Sequence, residues 1–193
     1  SNPLGEDTSV MRTTVIPSML DVLSRNYNNR NAAASLFEIS NEYIYNGTEK
    51  LPDENVKVTL GMYGDTVDFF SLKAVIEELL YVTGVSGYDV VPVTDDPTFH
   101  PGRTAALKIG DVQIGYLGEI HPAVLSNYGI GAKAYIGQLD FASLIKFGNL
   151  KRVYKPLPRF PASSRDLAFV CDIDLPVMTL EKAISGAVGK ILE

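Results

Sequence analysis

Cysteine occurs only once in the 193 residues, at Cys171, so no internal disulfide framework can form and the chain suits a reducing compartment. Histidine is nearly as scarce: His100 and His121 are the only two, and with Cys171 they show no zinc-ligand spacing. No apolar run approaches the roughly 20 residues needed to cross a bilayer. The first residues also lack the charged and apolar regions of a signal peptide, so the expectation is a cytoplasmic protein with no membrane partner. Positive charge is not in excess. The net charge of −6 leaves no global basic field to draw the chain onto nucleic acid. What remains is an ordinary globular composition, 46% hydrophobic and 21% charged, long enough for one substantial core and a smaller unit.

Charge is unevenly spread. Residues 1–145 hold 9 Lys and Arg against 18 Asp and Glu, whereas 146–193 hold 8 against 5. The step marks a junction of two units near position 150. Before it, Ile16, Leu20, Leu23 and Tyr27 fall on one face of a helix within Met11–Asn29, with Pro17 near the start. Phe37, Ile39, Tyr43 and Tyr45 alternate along a strand over Ser35–Tyr45, and Val56, Val58, Leu60 and Met62 mark a second. Asp68 caps a helix carrying Leu72, Val75, Ile76, Leu79 and Leu80, and Gly84 ends it. A strand at Tyr88–Val93 precedes a turn-rich stretch, Asp95–Gly102. Gly110-Asp111 joins strands Ala105–Ile109 and Val112–Glu119 in a tight hairpin. Pro122 opens a short helix that Gly129 stops, Lys133–Leu139 is a further strand, and Asp140 caps a helix from Phe141 to Lys146. This order predicts an α+β domain on a mainly antiparallel sheet.

Three prolines, Pro156, Pro158 and Pro161, predict an extended linker over 151–164. Beyond it stand one expected strand, Asp166–Cys171, and one amphipathic helix with Leu180, Ile184, Val188 and Leu192. One strand and one helix cannot bury both their faces, so 165–193 reads as the start of a second, truncated domain.

Chemistry-bearing residues are few. Each histidine precedes a proline, which favours a role at a turn or helix entry over metal or acid–base work. Arg103 is suited to pair with Glu119 or another carboxylate. Asp95-Asp96 reads as a solvated turn rather than a cation site. Gly115 and Gly118 lie within a strand, not in a turn opening onto a helix, so they form no phosphate loop and instead permit close packing or a bulge. From Lys146 to Arg165 six cations occur with no acid, among them Lys151, Arg152, Lys155 and Arg159, with Tyr154 and Phe160 interleaved. Such a stretch either contacts RNA phosphates and bases or is a solvated linker.

Several segments in order carry a family resemblance. They are Asn2-Pro3-Leu4; Met11-Arg12-Thr13 with Pro17; Leu36-Phe37-Glu38-Ile39 with Tyr43; and Asp68-Phe69-Phe70-Ser71-Leu72-Lys73. His100-Pro101-Gly102-Arg103 and Gly115-Tyr116-Leu117-Gly118-Glu119-Ile120-His121-Pro122 are the most distinctive. Tyr154-Lys155-Pro156, Phe160-Pro161 and Arg165-Asp166-Leu167-Ala168 follow. Together they resemble the β chain of bacterial-type phenylalanyl-tRNA synthetase over nearly the whole chain.

The resemblance implies a class II synthetase-like antiparallel sheet flanked by helices over 1–150, without catalysis. It further implies the 151–164 linker and, over 165–193, the first strand and helix of a ferredoxin-like anticodon-binding domain. Class II enzymes hold ATP phosphate with an arginine two residues before a glutamate, and with a second arginine after a glutamate in a Gly-rich strand. Guanidinium serves there because it offers fixed donors to phosphate and keeps its charge. At the matching positions this chain has Leu36 and Ile120. The family implies an α chain that carries the active site, an (αβ)2 assembly, tRNA as a partner, and ATP with magnesium for the whole enzyme; no cofactor or metal is expected on this fragment. Pro17, Leu20, Leu23 and Tyr27 either lie at the α-chain interface or face their own core. The competing reading is an independent ligand-binding enzyme with a pocket around His100, Arg103, Glu119 and His121.

Overall fold

A computed structural model describes residues 5, 9–47, 51–151, 153–154, 156, 161, 163–173 and 175–189. The chain divides into two compact units, Ser1–Leu150 and Lys151–Glu193.

The first unit contains helix α1 (Ile16–Asn28), strands β1 (Ala34–Ile44) and β2 (Asp53–Tyr63), and helix α2 (Phe69–Thr83). Strands β3 (Asp89–Pro92), β4 (Phe99–Ile109) and β5 (Val112–Ile120) follow, then helix α3 (Pro122–Asn127), strand β6 (Ala134–Asp140) and helix α4 (Phe141–Phe147). The six strands form one antiparallel sheet in the order β1-β2-β6-β5-β4-β3. One face packs Val58, Leu60, Leu117 and Leu139 against Leu72, Ile76 and Leu80 of α2 and Leu144 of α4. The other packs Tyr63, Phe99, Ile120 and Ile136 against α1 and α3. Alternate strand residues serve the two cores because side chains alternate across a pleated sheet.

Local chemistry sets the ends of these elements. The Asp68 carboxylate accepts from Ser71 N at 2.7 Å, and Ser71 Oγ accepts from Asp68 N at 3.2 Å, so the two residues cap each other at the start of α2. Asp140 caps α4 through Ser143 N at 2.8 Å and also pairs with Lys57 at 3.0 Å. Its burial favours the neutral acid, yet the Ser143 and Lys57 bonds outweigh that and hold the carboxyl below the usual aspartate range. Glycines make room for the helices: a Cβ on Gly61 would meet Met19 Cγ at 2.6 Å, and one on Gly137 would meet Ile76 Cδ1 at 2.5 Å.

Gly84 ends α2 in the left-handed region at φ 73°, and a Cβ there would strike the backbone of Asn149, whose N–H donates to Thr83 O at 3.1 Å. Gly87, at φ 72°, has open space around it. Gly87→Ala is therefore expected to cost about 1–2 kcal/mol for the backbone alone. Gly84→Ala adds the clash and should cost about 3–4 kcal/mol, read from urea unfolding midpoints. Equal losses at the two sites would remove Asn149 from the account.

The first helix spans Ile16–Asn28, with Pro17 in its first turn as expected, and residue 12 before it runs along β1: Tyr43 N donates to Arg12 O at 2.9 Å, and Arg12 Nε to Asn41 O at 3.0 Å. Two expectations are corrected here. The stretch expected to be turn up to Gly102 already belongs to β4 from Phe99, with an irregular register between Phe99 and Thr104. In the second unit helix α5 (Val177–Val188) forms with no buried residue, whereas the expected strand at Asp166–Cys171 does not form. A strand is stabilised by a ladder partner, and none pairs with these residues among the described residues. Leu192 lies outside the described residues.

Candidate functional site

The two faces of β1 are covered unequally. Leu36, Glu38, Ser40 and Glu42 turn toward the α1 face, while Phe37 and Ile39, on the α2 side, are 72% and 54% exposed. No described helix covers them. They line an apolar groove of about 600 Å³ whose floor is Val58 and Leu60 and whose far wall carries Val75, Phe141 and Ile145. Ile145 is 69% exposed, and Leu150, also on the groove, 77%.

On the opposite face β1 feeds a buried polar chain that sequence reading missed. Tyr116 Oη donates to Gln138 Oε1 at 2.7 Å, and Gln138 Nε2 donates to Glu42 Oε1 at 3.0 Å and to Thr59 Oγ1 at 3.2 Å. Val15 N also donates to Glu42 at 3.3 Å. Burial, then the charge of Glu42, pushes the Tyr116 phenol well above its ordinary value. The one available signal was Gln138 inside an otherwise apolar strand. The chain ties β1, β2, β5 and β6 together, with Glu42, Thr59 and Gln138 buried and Tyr116 partly so.

The two positions where class II enzymes place arginines are apolar in space as well as in sequence. Leu36 packs against the α1-face core and Ile120 is fully buried. Glu38 takes its cation from Arg12, at 3.0 Å. Strand β6 is a second glycine-bearing strand, and it runs straight into α4; the residue after its terminal Asp140 is Phe141.

Of the pocket expected around His100, Arg103, Glu119 and His121, the structure brings together only the middle pair. Arg103 Nη1 lies 2.9 and 2.8 Å from the two oxygens of Glu119, which is almost wholly buried while Arg103 is half exposed. The histidines turn to the backbone: His100 Nδ1 accepts from Gly102 N at 3.2 Å, and His121 Nδ1 accepts from Ala123 N at 3.1 Å, capping α3. His121 lines a different cavity, with Asp95, Phe99 and Val124. The four residues therefore share no cavity, since X-Pro turns at both histidines direct their rings to local N–H groups.

Arg103 and Glu119 instead line a cleft of about 520 Å³ with Phe69, Phe70, Val90, Pro92, Lys133 and Tyr135 among its other walls. The Tyr135 phenol is raised above its ordinary value by burial first and the charge of neighbouring Glu119 next.

Helix α1 gives Leu20 and Leu23 to the protein's own core, at 1% and 0% exposure. Of the two alternatives for this helix face, the core accounts for both side chains within this chain, and Leu23 lies against β2, its Cδ1 3.1 Å from where a Cβ on Gly61 would stand. Pro17 is exposed on the outer side, and Tyr27 is half-buried, edge-on to Tyr63 at 5.9 Å. Of the basic stretch, Lys151 is exposed, whereas Arg152, Lys155 and Arg159 lie outside the described residues. Among the described residues no three His, Cys, Asp or Glu gather to hold a metal, and no helix is long and apolar enough to cross a membrane.

Comparison with known proteins places these features. Residues 1–141 match the family described as phenylalanyl-tRNA synthetase beta chain CLM domain. The phenylalanine–tRNA ligase beta subunit of Clostridium acetobutylicum is 44% identical over all of this chain and 24% of its own length. That of Clostridium tetani is 45% identical over the same shares. The chain thus spans about a quarter of these curated relatives. Among solved structures, pyrrolysyl-tRNA synthetase from Desulfitobacterium hafniense superposes with a TM-score of 0.57 over 69% of this chain and 48% of that one, at 15% identity. The α+β architecture, a six-stranded antiparallel sheet with helices on both faces, is that of class II tRNA synthetases.

Proposed function

Because this chain belongs to the phenylalanyl-tRNA synthetase β-chain family, we propose that it is a non-catalytic structural and subunit-interface module of a phenylalanine–tRNA ligase. In this reading the α chain carries the active site, uses ATP and magnesium there, and packs against this module in an (αβ)2 enzyme that charges tRNA. Residues 165–193 would be the first part of a ferredoxin-like unit toward the anticodon, and the basic stretch from Lys146 to Arg165 would face tRNA. That stretch has no acid to repel phosphate, so neutralising it should flatten the salt dependence of tRNA binding.

The observation that carries the reading is the apolar groove beside β1. A contiguous exposed face of Phe37, Ile39, Ile145 and Leu150 marks an interaction surface rather than scattered surface hydrophobics. Leu36 and Ile120 support it from the other side. A leucine and an isoleucine give no preorganised positive charge to a developing phosphate anion, usually the largest catalytic contribution.

Co-purification with a separately expressed α chain tests the proposal, with each chain alone as control. The expected result is a stable complex that Phe37→Asp with Ile145→Asp weakens at least about tenfold, while the melting temperature of the isolated chain stays unchanged. Both residues are exposed, so neither substitution buries a charge. Saturable ATP binding by this chain alone, or a complex indifferent to the double variant, would count against it.

A further inference from the structure

The cleft beside Arg103 takes no part in the subunit reading, and it is built unlike the rest of the surface. It combines an apolar wall with a fixed cation. Phe69 and Phe70 stand edge to face at 5.6 Å at the start of α2, and Val90 and Pro92 of β3 close the opposite side. At the bottom, buried Glu119 receives Arg103 Nη1 on both oxygens, and Tyr135 lines the cleft beside it. Its acceptors are therefore engaged, and its charge is matched by that of Arg103.

Arg103 is not used up in the same way. Only Nη1 serves Glu119; Nε and Nη2 meet no acceptor among the described residues, and the side chain is 47% exposed at the mouth. Lys133 lines the same cleft, is exposed, and makes no hydrogen bond or ion pair with a described residue. The N-terminus of α2 does not add to this pair, because the Asp68 carboxylate already occupies its first N–H groups. Arg103 and Lys133 thus both line a cavity whose other walls are mostly apolar apart from Asp68 and Glu119, and Lys133 also borders two neighbouring cavities.

We propose that this cleft binds a small monocarboxylic acid with an apolar, ring-sized body. The carboxylate lies between Lys133 and the free edge of the Arg103 guanidinium, and the body lies against Phe70, Val90 and Pro92. Asp68 and Glu119 offset Arg103 and Lys133, so the lining carries no excess of positive charge and disfavours a dianion more than a monoanion. The volume, about 520 Å³, suits a ligand of this size. With about eleven non-hydrogen atoms and one ion pair at an open mouth, such a ligand should bind with Kd of order 1 mM. The inference does not depend on the subunit reading, and either can fail alone.

The test is a titration of the full 193-residue chain with 3-phenylpropanoate, followed by amide chemical shifts. The uncharged 3-phenylpropanamide, acetate and inorganic phosphate are the comparisons. The expected result is saturable shifts at Phe69, Phe70, Val90, Arg103 and Lys133, with the amide at least about tenfold weaker and acetate and phosphate without effect. Lys133→Met should weaken 3-phenylpropanoate about three- to tenfold, and Lys133→Arg should keep it; Lys133 is exposed and unpartnered, so both variants should retain the native spectrum. The amide binding as well as the acid, shifts clustering elsewhere, or no saturation by about 20 mM would each overturn the proposal. Phosphate binding in place of the organic acid would overturn the monocarboxylate assignment.

Discussion

Leu23→Glu should unfold the first unit rather than release a partner from it. Leu23 is fully buried, lies with Leu20 and Met19 over β2, and would stand 3.1 Å from a Cβ placed on Gly61. A carboxylate there loses its hydration and finds no described cation in the cluster, a penalty of at least about 4–5 kcal/mol and thus comparable to the whole stability of a domain. The variant should lose its cooperative thermal transition. Val22→Glu, one residue away but more than a third exposed, should shift the melting temperature by no more than about 2 °C. A native melting curve for Leu23→Glu together with impaired co-purification would restore Leu23 to an interface.

The second large effect concerns the Arg103–Glu119 pair. Arg103→Met leaves the buried Glu119 carboxylate without its ion-pair partner. Breaking a fully buried pair costs about 3–5 kcal/mol, but Arg103 is half exposed and water can enter the cleft, so about 2–3 kcal/mol is expected. The check is a double-mutant cycle by urea unfolding. Adding Glu119→Gln to Arg103→Met should recover more than half of the loss, because a neutral amide carries no stranded charge. No recovery would mean that the cost of Arg103→Met comes from lost packing rather than from Glu119.

Much of the fold was legible where the signal is local. Asp68, Gly84, the Gly110-Asp111 turn and Asp140 act through their own or adjacent residues, and they lie where the chain pattern placed them. Reading failed where a distant segment decides. The path of residue 12 along β1 carried no signal, because its partners Asn41 and Tyr43 lie on a strand far along the chain. The alternation in β1 was visible, yet it does not say which side is inward; Glu42 turns in because Gln138, ninety-six positions away, meets it. Of the candidate site, the Arg103–Glu119 pairing was foreseen from charge. The histidines were not excluded from it until their Nδ1 atoms were seen to accept local N–H groups. Phe69, Phe70 and Lys133 come to the cleft from α2 and from the approach to β6, and no spacing in the chain brings those regions together.

The strand order also governs how the sheet can assemble. β1 pairs with β2, and β3 with β4 and β4 with β5, each between segments close in the chain, so both halves can form from local encounters. Only β6 touches both halves, through β2 on one side and β5 on the other. It is also the last strand to leave a ribosome. Until it arrives, β2 and β5 each present an open edge, the condition in which nascent chains pair wrongly or aggregate. Joining them means closing a span of roughly 70 residues between β2 and β6, an entropic cost met before most of the sheet's long-range contacts exist. One strand of seven residues therefore acts as the clasp of the whole unit, and the sheet cannot close before it is made.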